Sequence, residues 1–260
     1  MRKILIIGAG KMGSWFAESL CLDYDVAVFD KDLEKLKYFF KTKRLVSNNE
    51  IEEFEPKLMI NAVNLNKTVE AFDEIIPLLP KDCIIADIAS VKNGLKEYYH
   101  KKGMRFVSTH PMFGPTFGNV RDLSKENAII ITESDPEGKS FFRSFYESLK
   151  LNIFDYTFEI HDKTIAYSLS IPFSSTMVFA ACMKRLEVPG TTFRKHLDIA
   201  KGLLSEDDYL LSEILFNPHT LEQIENINAR LADLIDLIKN RDGEGIIQFL
   251  NLLRQNIEMV

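Results

Sequence analysis

The hydrophobic pattern in the first half of the chain predicts an α/β fold. Short apolar runs alternate with helix-like patterns, and most of these runs are continuous, as is typical of strands that are buried on both faces. Their order predicts a parallel, doubly wound sheet with right-handed crossovers. The expected strands are Lys3–Ile7, Val26–Phe29, Leu58–Ala62, Ile84–Asp87, Phe106–Ser108 and Ala128–Thr132, and the expected helices include Met12–Leu22, Thr68–Leu78 and Glu137–Leu149.

After about Phe158 helical periodicity replaces the strand-like runs. We therefore expect an α/β domain over residues 1–156 and an all-helical domain over residues 157–260. The polar segments Ser134–Glu137, Ser205–Asp208 and Thr220–Gln223 are expected to open helices. One apolar stripe, with spacings of three and four, predicts an amphipathic helix. It consists of Leu221, Ile224, Ile227, Leu231, Leu234 and Ile238.

Composition excludes several classes of protein. The formal net charge of -6 gives no broad basic surface for nucleic acid. Cys21, Cys83 and Cys182 are widely separated, which favours reduced thiols in a cytoplasmic protein over disulfides or a cysteine metal site. Serines and a proline interrupt the apolar run Ile165–Met183. We therefore expect a buried helix there, and no membrane span, which needs roughly 20 apolar residues.

The N-terminus carries a glycine-rich turn between a predicted strand and a predicted helix. Gly8 permits a tight turn, Gly10 lets the backbone approach a pyrophosphate, and Gly13 lets the helix pack closely on the strand. The N-terminus of that helix offers free N–H groups to phosphates. This GxGxxG pattern predicts a Rossmann domain. The residues expected to bind a dinucleotide are Gly8, Gly10, Lys11, Met12, Gly13, Asp30 and Val63.

Asp30 bears on the choice of cofactor. It ends the second predicted strand, 17 residues after Gly13, close to the roughly 20 expected for the carboxylate that binds the adenosine ribose. A carboxylate accepts both ribose hydroxyls of NAD and repels the 2′-phosphate of NADP. We therefore expect NAD, although the neighbouring Lys31 leaves NADP open. A non-catalytic dinucleotide-binding module would share these features.

His110 is the candidate catalytic base. It follows the predicted strand Phe106–Ser108, and Pro111, Gly114 and Pro115 stiffen the loop behind it. An imidazole with a pKa near 6.5 can take a hydroxyl proton at neutral pH. The alternative is a histidine that only fixes the loop. The other four histidines lack ligand spacing, so no metal site is expected.

Two further polar residues follow the strand Ile84–Asp87. Ser90 either donates to the reacting hydroxyl or to His110, or caps the next helix. Lys92 either faces the substrate as a cation or is a solvated residue in the first turn of that helix.

Three motifs together resemble those of prephenate dehydrogenases: GAGKMG at residues 8–13, DIASVK at 87–92 and THPMFGP at 109–115. The resemblance implies NAD-dependent oxidative decarboxylation of prephenate to 4-hydroxyphenylpyruvate, in tyrosine biosynthesis. It also implies that His110 takes the proton of the 4-hydroxyl, that Ser90 bonds the same oxygen, and that the helical domain forms a homodimer. Arogenate is the alternative substrate.

The helical half departs from the pattern of this family. Ser170 and Phe173 stand where its histidines often lie, and Asp198 stands where its carboxylate-binding arginine is expected. Arg194 and Lys195, with Lys201 close by, are alternative candidates for binding the substrate carboxylates. Each of them could equally be a surface cation.

A β-hydroxyacid dehydrogenase is the other enzymatic alternative, because it shares the glycine-rich start and a helical second domain. That family should carry a glycine-rich substrate loop after the fifth strand and a catalytic lysine in a GxGxxxKxxxN-like helix. The corresponding segment, Asp162–Met183, has no glycine, and its only lysine is Lys163.

Overall fold

A computed structural model describes residues 2–113 and 122–259 of the chain. The structure divides into two compact units. The first runs to Thr164 and includes Asp208–Leu210, and the second comprises Ile165–Asp207 and the chain from Leu211 onward. The units thus divide later than the expected domain boundary at 156/157, because the first helix of the helical half belongs mainly to the first unit.

The first unit is built on an eight-stranded sheet with the order β3-β2-β1-β4-β5-β6-β7-β8. All neighbouring strands pair in parallel except β6 and β7, which are antiparallel. The strands are β1 (Lys3–Ile7), β2 (Asp25–Phe29), β3 (Lys43–Leu45), β4 (Leu58–Asn61), β5 (Ile84–Asp87), β6 (Phe106–Pro111), β7 (Asn127–Ile131) and β8 (Asn152–Tyr156).

Helices flank this sheet and bury both of its faces. They are α1 (Lys11–Leu20), α2 (Leu33–Leu36), α3 (Asn48–Phe54), α4 (Thr68–Ile75), α5 (Leu95–Lys102), α6 (Pro136–Ser148) and α7 (Phe158–Ile165). Along β1, Ile4 and Ile6 join one buried cluster, and Leu5 and Ile7 join another. Since both faces are covered, most positions of a central strand are apolar, which explains the continuous apolar runs.

The six predicted strands are present, with ends shifted by a few residues, and two further strands were missed. β3 has three residues, two of them exposed, and β8 is an edge strand whose positions are all exposed or half-buried. Neither strand has the continuous apolar run that marks a strand covered on both faces. The largest shift is in β6, which continues to Pro111 because Thr109–Pro111 pair with β7.

The segments Ser134–Glu137 and Thr220–Gln223 open helices as expected, but neither Ser134 nor Thr220 caps its helix. Asp135 caps α6 by accepting from the N–H groups of Glu137 and Gly138, while the hydroxyl of Ser134 is buried and accepts from Ser108 N at 3.0 Å. The hydroxyl of Thr220 does not cap its helix, since it donates to the carbonyl of Ile214 at 2.9 Å. Both hydroxyls thus bond groups outside the helices that their segments open.

The second unit is helical throughout its regular elements. A π-helical segment, Ala166–Ser170, precedes α8 (Ile171–Ala181), α9 (Thr191–Leu203), α10 (Asp208–Leu215), α11 (Thr220–Asn240) and α12 (Gly243–Glu258). The first three residues of α10 are those assigned to the first unit. The predicted stripe lies on α11, but several of its members are exposed, among them Leu221 at 65% and Ile238 at 62%. Within a single chain this stripe is therefore only partly covered.

The expectation of a buried helix at Ile165–Met183 was also wrong. The continuous helix Phe158–Ala181 is long and apolar enough, by length and composition, to cross a bilayer, and only 17% of its most apolar window is buried. Such a property is weak support for a membrane span, because helices covered by protein have the same composition. Within this helix Tyr167 and Val178 are exposed.

Parallel pairing sets the position of the site. Ile7 pairs with Phe29 and with Asn61, Asn61 pairs with Asp87, and Asp87 pairs with Ser108. The carboxyl ends of five strands therefore meet at one edge of the sheet, where ligands bind in doubly wound folds.

Candidate functional site

The glycine-rich turn has the geometry that a pyrophosphate site requires. Gly8 adopts a φ of +98°, and a Cβ there would lie 2.8 Å from the carbonyl oxygen of Ala62. A Cβ on Gly13 would collide with the carbonyl oxygen of Gly8. At Gly10, which precedes α1 without a side-chain cap, a Cβ would point into open space. The open space above Gly10 and the free N–H groups of α1 thus fit a dinucleotide pyrophosphate.

Lys11 and Met12 form the first turn of α1. Lys11 is exposed, and Met12 is half-buried with its side chain packed against the core. Any contact of these two residues with a pyrophosphate would therefore come mainly from their backbone N–H groups.

A cavity of about 260 Å³ adjoins this turn. Gly8, Gly10, Asp30 and Val63, four of the residues expected to bind a dinucleotide, line it together. Asp30 is held there by its two carboxylate oxygens, which accept from Ala9 N at 2.7 Å and from Asp32 N at 2.8 Å. The carboxylate is thus fixed at the end of β2, where the ribose of a dinucleotide would lie.

His110 lies within β6, and it is buried. Its Nδ1 lies 3.0 Å from Nε2 of His161, and Nδ1 of His161 lies 3.0 Å from Oδ1 of Asp162. His161 and Asp162 come from α7. The sequence interpretation missed this chain of groups, because it tested the histidines only for metal-ligand spacing. The signal that could have found it is the adjacent His161-Asp162 pair at the start of an apolar helix.

This arrangement assigns the protons of both imidazoles. A carboxylate can only accept, so Nδ1 of His161 carries a proton and donates to Asp162. In a neutral His161, Nε2 is then the acceptor, and Nδ1 of His110 must be the donor. The lone pair of His110 is therefore left on Nε2. An imidazole held in this way can act as a base, and the hydrogen-bonded chain stabilises the imidazolium that forms.

Burial keeps both imidazoles neutral. It lowers the pKa of His110 well below 6.5, and the nearby His161 and Lys92 lower it further. Burial also lowers the pKa of His161, with Lys92 acting in the same direction and Asp162 opposing it. The expectation of an unperturbed pKa for His110 was therefore wrong, since it took no account of these neighbours.

Lys92 is not solvated, as one interpretation had it, because its side chain is wholly buried. Its ammonium forms an ion pair with Oδ1 of Asp87 and donates to the carbonyl oxygen of Thr109 at 2.8 Å. Asp87 also accepts from the hydroxyl of Tyr99 at 2.6 Å. Lys92 thereby ties the segment after β5 to the residue before His110. A direct contact between Lys92 and a substrate would require it to leave these partners.

Ser90 is half-buried between β5 and α5. It does not cap α5, because that helix begins at Leu95 and Gly94 is its N-cap. The cap interpretation was therefore wrong. The contact of Ser90 with a substrate hydroxyl stays a prediction. Gly114 and Pro115, the loop residues of the third motif, lie outside the described residues.

Arg194 and Lys195 are exposed on α9 of the second unit. Nε of Arg194 donates to the carbonyl oxygen of Pro189 at 3.0 Å. Ser170, at a position where a family histidine was expected, is buried in the same unit and lies 2.7 Å from the hydroxyl of Thr220. Substrate binding by Arg194 and Lys195 stays a prediction.

Comparison with known proteins agrees with the three motifs. The profile of the nucleotide-binding domain of prephenate dehydrogenase matches residues 27–152. A probable arogenate/prephenate dehydrogenase of Methanocaldococcus jannaschii is 26% identical over 95% of this chain, and the T-protein of Enterobacter agglomerans is 24% identical over 98%. The chain spans 58% of the length of the first relative and 67% of the second.

Solved structures show the same fold. A prephenate dehydrogenase from Aquifex aeolicus, in complex with hydroxyphenyl propionate and NAD+, superposes with a TM-score of 0.84 at 19% identity, covering 100% of this chain and 99% of that one. The arogenate dehydrogenase of Synechocystis superposes with a TM-score of 0.78 at 17% identity, over 99% of both chains. The likeness to these enzymes thus spans both units of the chain.

Proposed function

We propose that the chain is a member of the prephenate dehydrogenase family, which its matches to that family support, and that it catalyses the NAD-dependent oxidative decarboxylation of prephenate to 4-hydroxyphenylpyruvate. The chain of groups Asp162, His161 and His110 carries the proposal, because it presents Nε2 of a buried neutral histidine as a base. His110 lies at the edge of the sheet where the nucleotide turn also lies. This is the arrangement needed to oxidise a hydroxyl beside a bound dinucleotide.

Residues of the first unit would hold the cofactor. The N-terminus of α1 and Gly10 would bind the pyrophosphate, and Asp30 would accept from the ribose hydroxyls. The bound nicotinamide supplies the hydride acceptor. Burial of His110 keeps its imidazole in the basic form at neutral pH, and Nε2 takes the proton of the substrate hydroxyl as the carbon loses hydride.

The electron pair of the bond to the ring carboxylate then completes the aromatic ring as CO₂ leaves. His110 returns its proton to the phenolic oxygen, so no net proton is released. Through this cycle His161 accepts from Nδ1 of His110, and Asp162 accepts from His161. Ser90 is proposed to hydrogen-bond the same substrate oxygen, and Arg194 and Lys195 to bind substrate carboxylates.

The substrate is tested by incubating the protein and NAD with prephenate, arogenate and several β-hydroxyacids. We expect NADH and CO₂ in equal amounts, with prephenate giving the highest kcat/KM. Arogenate is named among the relatives. A preference for it would change the proposed substrate and leave the proposed oxidative decarboxylation in place. NADH formation from β-hydroxyacids without CO₂, or NAD binding without any turnover, would overturn the proposal.

We expect Asp30→Ala to weaken NAD binding and to relax the preference for NAD over NADP. The variant removes the acceptor for the ribose hydroxyls and the negative charge that repels a 2′-phosphate. Isothermal titration with each dinucleotide measures both effects. A wild-type protein that binds NADP more tightly than NAD would show that the role assigned to Asp30 is wrong.

A homodimer through the helical unit is also proposed. Several apolar side chains of α11 and α12 are exposed, with Ile238 at 62% and Ile257 at 76% exposure, and contiguous exposed apolar groups mark interaction sites. The exposed residues of Phe158–Ala181 add to this surface. A second copy would cover these groups without a membrane, in keeping with the cytoplasmic location that the cysteines suggest.

Light scattering at micromolar concentration is expected to give twice the mass of the 29.9 kDa chain. Ile238→Glu combined with Ile257→Glu should yield a monomer, because each change places a charge in the proposed interface. Leu22→Glu, at an 84% exposed position in the first unit, is the matched control and should remain dimeric. A monomeric wild type, or partition into lipid vesicles, would contradict the assignment.

A further inference from the structure

The wall of the Asp30 cavity is densely charged. Three lysines and three acidic residues line it: Lys31, Lys35, Lys67, Asp30, Glu70 and Glu74. The formal charge of the wall is therefore balanced. The 2′-phosphate that distinguishes NADP carries up to two negative charges and needs cationic partners.

Each lysine of this wall already has acidic partners. Lys31 lies 2.7 Å from a carboxylate oxygen of Glu74 and 3.7 Å from one of Glu70. Lys67 pairs with Glu70 at 2.7 Å. Lys35 lies 3.9 Å from Asp30.

Lys31 is the residue that would otherwise favour NADP, because it follows Asp30 directly at the end of β2. Its hydrogen bond with Glu74 raises the pKa of Lys31 above its ordinary value. Both glutamates come from α4, and like Lys31 they line the cavity. Their carboxylates hold the ammonium of Lys31 toward α4.

We propose that Glu74, together with Glu70, is a determinant of coenzyme selectivity, because it neutralises Lys31 and so denies the 2′-phosphate of NADP a cation. Selectivity then has two parts. Asp30 repels the 2′-phosphate close to the ribose. The α4 glutamates pair with the ammonium of Lys31, so this cation does not bind the 2′-phosphate. The inference rests on the proposed function, since it presupposes that this cavity binds the adenosine end of a dinucleotide.

The test measures dissociation constants of NAD and NADP by calorimetry, without turnover. Adenosine 2′,5′-bisphosphate and adenosine 5′-monophosphate serve as smaller probes of the same site. Glu74→Gln is expected to tighten binding of the two 2′-phosphorylated ligands about two- to fivefold, the range for an exposed ion pair. Glu70→Gln combined with Glu74→Gln should tighten it further, while NAD and the monophosphate bind within about twofold of wild type.

Two controls make the test specific. Adding Lys31→Met to the double glutamine variant should abolish the gain, because the freed ammonium is its source. Glu34→Gln removes the same charge from an acid that pairs with Lys37 on α2 and does not line the cavity. It should leave NADP binding unchanged.

The inference is overturned if the double variant binds the 2′-phosphorylated ligands no more tightly than wild type. It is also overturned if the gain persists without Lys31 or occurs equally in Glu34→Gln. Failure of the proposed dinucleotide site looks different, because the wild-type protein would then not bind NAD. Normal NAD binding with unchanged NADP affinity therefore rejects only the role of the glutamates.

Discussion

His110→Asn is expected to lower kcat about 10²–10⁴-fold, the usual contribution of general acid–base catalysis, and to leave the NAD dissociation constant unchanged. Asparagine keeps a hydrogen-bonding side chain but cannot take a proton. Residue 110 lies in β6 and not in the glycine-rich turn, so we expect the substitution to leave the affinity for NAD unchanged. Steady-state turnover of prephenate and calorimetric titration with NAD measure the two effects.

The dependence of kcat/KM on pH provides a second readout of the same residue. The neutral imidazole is the active form, so activity is lost as pH falls through the pKa of His110. Because burial, His161 and Lys92 lower that pKa, the ascending limb should lie below pH of about 6.5. The wild-type enzyme should stay active at pH values where an exposed histidine is protonated. This limb should be absent in His110→Asn.

Two controls accompany this prediction. Ser90→Ala should lower kcat less, since it removes one hydrogen bond and leaves the base in place. His100→Asn, at an exposed position on α5, should behave as wild type. Near-normal turnover of prephenate by His110→Asn would show that His110 is a structural residue and not the base. The proposed NAD site would be unaffected by that result, because it depends on other residues.

The second large effect concerns stability. Lys92→Met should lower the free energy of unfolding by about 3–5 kcal/mol, because it leaves the wholly buried carboxylate of Asp87 without its ion-pair partner. Methionine fills a similar volume, so the loss arises mainly from the uncompensated charge. Denaturant unfolding of the first unit, followed by the fluorescence of Trp15, measures the change.

Lys57→Met is the matched control for this variant. Lys57 pairs with Asp82 at 2.6 Å, but both side chains are more than half exposed. The loss should therefore stay below about 1 kcal/mol. Adding Asp87→Asn to Lys92→Met should recover part of the stability, since the amide removes the buried charge and can still bond Tyr99. Equal losses in Lys92→Met and Lys57→Met would show that the buried pair is not the cause.

The sequence predicted the central strands and the nucleotide turn because both depend on local patterns. A strand buried on both faces needs a continuous apolar run, and β1, β4 and β5 have one. The turn needs glycines at fixed spacing, which the positive φ of Gly8 and the close contact at Gly13 explain. β3 and β8 escaped prediction because strands at the ends of the sheet are only partly covered.

The sequence by itself thus determined the fold class, the glycine-rich turn, Asp30 at the end of β2, and His110 as the candidate base. Only the tertiary structure showed that Asp162 and His161 orient His110, across 51 residues of sequence. It likewise showed that Lys92 is buried against Asp87, and that Glu74 reaches Lys31 from a separate helix. The physical reason is that strand and turn signals arise from near neighbours, whereas the proton and charge states of a site depend on groups that only folding brings into contact.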